Sequence, residues 1–160
     1  MAIERYSVGL STPDTRTTGE AYAELLAGAS DPVSIKSITV TTGSNIGGHL
    51  ALTHSYAIGT GAASGIHTGV ALRTVATSPT GPARAQMAWS NSGVAPTGYI
   101  SRLKHIILPI ATGQSRTLWD ADTDGDLVIE PGKSVIVLNQ GSGSAGGGIH
   151  VNFTWEEGRL

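Results

Sequence analysis

The segment Ile149-His-Val-Asn-Phe-Thr-Trp155 constrains this chain more than any other. Apolar residues at 149, 151, 153 and 155 alternate with polar ones at 150, 152 and 154. A strand sends successive side chains to opposite faces, so this pattern buries one face and wets the other, as half-buried antiparallel strands do. Residues 50–58 repeat it, with Leu50, Leu52, Tyr56 and Ile58 on one face and His54 continuing that face. Further strands are expected at 34–41, 68–76, 83–89, 101–111, 116–119, 127–129 and 134–139. Between them, 42–48, 59–65, 78–82, 91–98 and 141–148 are rich in Gly, Pro, Asn and Ser, the residues that supply positive φ or a fixed φ in turns. The glycine tract at 141–148 lies between two strong strands and reads as a hairpin loop.

These intervals are too short and too glycine-rich for crossover helices, which excludes an α/β fold. About eight short strands at regular spacing predict an all-β protein, an antiparallel β-sandwich or jelly roll. A length of 160 residues suits one compact domain with a core of its own.

The first residues read differently. Residues 11–18 are polar and turn-forming, and 19–27 predict one short helix. Thr17 would cap it with Glu20 reaching back, and Tyr22, Leu25 and Leu26 would form its apolar stripe. Gly28 would stop it and Asp31-Pro32 would block its extension. Residues 1–32 are therefore expected to form an N-terminal arm carrying this helix, and 33–160 the β-sandwich domain.

Composition narrows the function. Charged residues make up 14% of the chain, against roughly 25% in an ordinary globular protein. Ten Lys and Arg against twelve Asp and Glu give a net charge of −2. That balance lacks the basic footprint of a nucleic-acid binder and the polybasic anchor of a membrane-surface protein. With no cysteine, disulfide scaffolds, thiolate catalysis and cysteine-based zinc sites are excluded. The opening residues have no long apolar run, and 106–110 is far below the ~20 residues that cross a bilayer. The expectation is a soluble chain made in a cytoplasm.

The candidate chemistry is sparse. Asp120, Asp122, Asp124 and Gly125 match the first half of a calcium loop, D-x-D-x-D-G, in which alternate carboxylates converge on one cation. Position twelve holds Pro131 in place of the bidentate Glu, and Glu130 falls one place early. The alternative is an acidic, solvated turn formed by the same residues, Asp126 included. His49, His54, His67, His105 and His150 form no H-E-x-x-H or H-x-E pattern. No G-x-S-x-G elbow or phosphate loop is present. Trp89 and Tyr99 flank a loop and are the candidates for an exposed sugar-stacking platform, whereas Trp155 belongs to the core face. No catalytic, cofactor-binding or metal residue is assigned, and the chain reads as not an enzyme.

The order of several segments resembles a known group. Residues 21–30 lead into Ile35-Lys-Ser-Ile-Thr-Val40, then Leu50-Ala-Leu-Thr-His-Ser-Tyr-Ala-Ile-Gly-Thr-Gly61. Trp119, Ile129-Glu-Pro-Gly132, Val137-Leu-Asn-Gln-Gly141 and Val151-Asn-Phe-Thr-Trp-Glu-Glu157 follow. This resembles small jelly-roll structural proteins of tailed bacteriophage virions, of the capsid decoration, or cement, type. The acidic cluster at 120–126 has no counterpart in that pattern. The resemblance implies a protein of the outer capsid surface, assembled in the host cytoplasm, that binds the major capsid protein and stabilises the lattice as a homo-oligomer, with a trimer favoured. It implies no active site. A surface poor in charge suits close subunit packing, because little charge is desolvated. The arm, residues 1–30, would be ordered by a neighbour, so that its deletion would abolish capsid binding and leave the β-domain folded. The alternative is a tail or fibre component binding a host-surface glycan through Trp89 and Tyr99.

Overall fold

The computed structural model describes residues 4–12, 21–28, 30–42, 46–55, 65–71, 80–87, 99–110, 113–139 and 149–157. Within them the chain forms β1 (Glu4–Thr12), β2 (Ala21–Leu26), β3 (Val33–Thr42), β4 (Ile46–Ser55), β5 (Gly65–Ala71) and β6 (Thr80–Met87). It continues with β7 (Tyr99–Ile110), β8 (Ser115–Asp120), the helical turn α1 (Ala121–Asp124), β9 (Leu127–Ile129), β10 (Ser134–Asn139) and β11 (Ile149–Glu157). The strands join in the order β7-β4-β10-β2-β6-β5-β1-β11-β3-β8, and β9 extends the line of β8 along β3. Every pairing is antiparallel. The all-β, antiparallel class read from the alternation is thus the class of the fold, with eleven strands among the described residues where about eight were expected.

The strand expected at 149–155 follows its period closely. Ile149, Val151, Phe153 and Trp155 are buried, His150 is exposed, and Asn152 and Thr154 are half-buried. β9 and β10 span the expected segments, and β3 and β8 exceed theirs by a residue or two at each end. β4 to β7 overlap the expected strands, whose residues 56–58, 72–76, 88–89 and 111 lie outside the described ones. Three expected turns are partly strand: Ile46 to Gly48 belong to β4, Gly65 to β5 and Thr80 to Pro82 to β6. Pro82 has no N–H for a ladder, and it sits where the β5–β6 register shifts between Thr68 and Val70, a position at which a proline is tolerated.

Within the predicted helix at 19–27, Ala21–Leu26 form strand β2, and residues 19 and 20 lie outside the described ones. β2 lies between β10 and β6, with Leu25 opposite Val135 on one side and Ala85 on the other. Tyr22, Ala23, Glu24 and Leu25 are all buried. A short apolar run buried on both faces carries no period of two, and three of its residues happen to fall at helical spacing. Packing between two neighbours overrode the local preference. The segment read as an arm therefore supplies two strands, since β1 runs between β5 and β11.

One apolar cluster takes in Tyr6 and Leu10 of β1, Leu25 of β2 and Ile38 of β3, together with residues of β10 and β11. β2 also touches β1 and β11, which are not its sheet neighbours, so distant stretches of the strand path share one core. Trp155 sits in it with no exposed surface, stacked on Tyr6 at a centroid separation of 5.9 Å. The turn from β9 to β10 is built by Glu130-Pro-Gly-Lys133, closed by a bond from the Lys133 N–H to the Glu130 carbonyl at 3.0 Å. Proline at its second position and Gly132 at φ 71° are what a type II turn demands.

Because β1 and β2 carry Tyr6, Leu10, Tyr22 and Leu25 into the core, deletion of residues 1–30 is expected to unfold the protein rather than detach an arm. Urea titration followed by circular dichroism should show no cooperative transition. A sharp transition in the truncated chain would contradict this.

Candidate functional site

The Trp155-Glu-Glu157 tripeptide at the end of β11 is used on both faces of that strand. Trp155 points inward, and its indole Nε1–H donates to Glu157 Oε1 at 2.6 Å. A buried indole donor needs such an acceptor, and Glu157, itself almost fully buried, supplies it. Glu156 points outward. Its Oε1 accepts from Arg5 Nη2 at 2.6 Å and from Arg5 Nε at 3.0 Å. Its Oε2 lies 3.1 Å from Lys36 Nζ. Partial burial alone would raise the Glu156 carboxyl, but hydrogen bonds and charge from Arg5 and Lys36 outweigh it and hold the group below its ordinary value.

Beyond this charged margin the outward face of β1, β11, β3 and β8 changes character. Register places Ser11, His150, Thr41 and Ser115 in one row across the four strands. The next row is Gly9, Asn152, Thr39 and Thr117. Ser7, Thr154 and Ser37 follow, and Asp120 of β8 closes that third row opposite Ser37. No Lys, Arg, Asp or Glu occurs in the first two rows. Several of the side chains are tied to one another. Ser11 Oγ lies 3.0 Å from His150 Nδ1, Thr41 Oγ1 lies 2.7 Å from Ser115 Oγ, and Ser7 Oγ donates to the Phe153 carbonyl at 3.2 Å. Gly9 leaves room for the His150 ring, because a Cβ there would stand 3.0 Å from both Cε1 and Nε2. The result is a surface of short, mostly uncharged groups, with one carboxylate, Asp120, at the β8 end of the third row. It offers hydrogen bonds, and little charge has to be desolvated when it is covered.

The acidic segment is organised differently from a cation loop. Asp120 caps α1, its carboxylate accepting from the Asp122 N–H at 3.0 Å. The Asp124 carboxylate accepts from the Asp120 N–H at 3.0 Å. These two side chains are thus turned onto the segment's own backbone, a reciprocal arrangement like a capping box. Trp119 Nε1–H donates to the Gly125 carbonyl at 3.1 Å, and Gly125 takes φ 90° where α1 ends. Asp122 and Asp126 are exposed. Of the two readings left by the motif, the backbone hydrogen bonds favour the solvated turn. Among the described residues no three of His, Asp and Glu gather as a metal group.

The remaining candidates are dispersed. His49 and His54 lie in β4, His67 in β5 and His105 in β7, whereas His150 stands on the outward face of β11. Tyr99 opens β7, and Trp89 lies outside the described residues. The sequence reading missed the outward face because it did not assign β1. The signal was present: Tyr6, Val8 and Leu10 alternate with Arg5, Ser7, Gly9 and Ser11. No helix among the described residues is long and apolar enough to cross a membrane. No protein-family model, curated protein or solved structure matches the chain.

Two measurements test this geometry. Asp120→Ala removes the α1 cap and is expected to cost about 1 kcal/mol of stability, read by urea unfolding. Glu156 is held low in the folded chain, so its contribution is full above the ordinary carboxylate range and lost as pH falls through the folded value. Arg5 is about half exposed, so the effect should be under about 1 kcal/mol. Unfolding from pH 7 down to pH 3 should show a shallower acid limb in Glu156→Gln than in the wild type.

Proposed function

We propose that this chain is a non-enzymatic structural protein of a bacteriophage virion, a capsid decoration protein that binds the outside of the head and stabilises the capsid lattice. The observation that carries this reading is the strand order. With the β5–β6 hairpin and β9 set aside, eight strands remain in two groups of four, β1-β11-β3-β8 and β2-β10-β4-β7. The chain crosses between the groups from β1 to β2, β2 to β3, β3 to β4, β7 to β8, from β8 by way of β9 to β10, and from β10 to β11. We read this order as the connectivity of a jelly roll, a sandwich of two Greek keys. The hairpin then bridges the groups, β5 pairing with β1 and β6 with β2.

A fold of this kind hosts many functions, so the choice among them rests on the surface and on the sequence resemblance. The outward rows, in which Asp120 is the one acidic residue and no Lys or Arg occurs, favour packing against protein over binding polyanions. Decoration entails contact with the major capsid protein and a homo-oligomer, for which the resemblance favours a trimer. Residence on the outer capsid surface follows from the same reading.

Separation of the native particle into heads and tails, with this chain quantified by mass spectrometry, tests the proposal. Recovery with heads at high copy number is expected. Recovery with tails at low copy number would replace it with a tail or fibre role in glycan binding, and absence from both fractions would end the virion reading.

A further inference from the structure

We propose that Asp124 is the site of a spontaneous backbone modification, aspartate isomerisation, and that the turn α1 controls its rate. Asp124-Gly125 is the one Asp–Gly pair in the chain, and no Asn–Gly pair occurs. In such a pair the backbone nitrogen of the glycine attacks the side-chain carboxyl carbon of the residue before it. A C–N bond forms, the carboxyl C–O bond breaks, and the amide proton leaves with the carboxyl OH as water. The cyclic imide then takes up one water. Hydrolysis at the side-chain carbonyl returns aspartate, and hydrolysis at the main-chain carbonyl leaves isoaspartate, whose backbone is one carbon longer. Glycine favours the step because it has no Cβ to obstruct the ring.

The structure exposes this pair yet holds both reacting groups apart. Residues 122–126 are exposed, so water reaches the site. The Gly125 N–H, which carries the attacking nitrogen, donates to the Ala121 carbonyl at 3.2 Å. The Asp124 carboxylate is turned back toward the start of the turn, accepting from the Asp120 N–H at 3.0 Å. Reaction therefore requires α1 to open. A helical turn of four residues has little stability of its own, and Asp120 supplies its cap. Opening of so exposed an element is a local event. Its ends stay fixed, because Asp120 pairs with Ser37 and Leu127 with Ile35 on the same strand, β3. An isoaspartate lengthens the main chain within that span and draws the Gly125 carbonyl off the Trp119 Nε1–H, which donates to it at 3.1 Å. The product thus differs from the original chain at the β8–β9 junction. None of this depends on the virion reading.

The test ages the purified full chain at physiological temperature and neutral pH. Isoaspartate has the mass of aspartate, so electron-transfer fragmentation of the digested chain locates and quantifies it. Isomerisation is expected at Asp124 ahead of every other Asp and Asn. It should run at least about tenfold slower than in the same chain aged in guanidinium chloride, where the turn is absent. Asp120→Ala should raise the folded-state rate about fivefold, the factor that a lost cap gives. If circular dichroism shows that this variant does not fold, Trp119→Phe, which removes the indole bond to Gly125, serves instead. Earlier isomerisation at another residue, equal rates in the folded and unfolded chains, or no acceleration in a folded variant would overturn the proposal.

Discussion

Strand β11 is the element on which the rest of the structure depends. It lies between β1 and β3, joining the first strand of the chain to the third, and its inward residues Ile149 to Trp155 are buried throughout. Trp155 brings the largest apolar surface, stacks on Tyr6 and needs an acceptor for its indole N–H, which Glu157 provides. Removing a buried tryptophan of this kind typically costs about 3–5 kcal/mol, a large part of the stability of a domain. Strand β11 therefore fixes β1, which pairs with it from Glu4 to Thr12.

The same strand separates two surfaces of different use. Inward it supplies core, and outward it carries His150, Asn152 and Thr154 across to their neighbours on β1 and β3. Charge gathers at the end where Arg5 and Lys36 meet Glu156, and Asp120 stands opposite Ser37 on β8. The β3–β8 edge is less open: Arg116 is exposed opposite the buried Val40, and the register shifts between Ile38 and Thr39. Charge and irregularity at an edge both discourage unplanned strand pairing.

Asp120 to Gly125 illustrates how a motif and its use part company. Alternate carboxylates suit a cation, but the same spacing suits a helical turn in which Asp120 and Asp124 serve backbone amides. Unsatisfied amides at the start of a turn are present in every such segment, whereas a full ligand set is not, and position twelve holds Pro131. Local hydrogen bonding was sufficient to organise the segment.

The sequence by itself determined the all-β class, the antiparallel habit, the buried face of β11 and most strand positions. Each follows from a period of two, or from Gly and Pro chemistry that acts within a few residues. Only the tertiary structure decided that 21–26 is a strand, because a run buried on both faces has no period and its state is chosen by β10 and β6 on either side. Only the tertiary structure also decided that the polar halves of β1, β3, β8 and β11 meet as one surface with little charge. The register that aligns Gly9, Asn152, Thr39 and Thr117 joins residues far apart in the chain, and pairing at that range depends on which strands share a core.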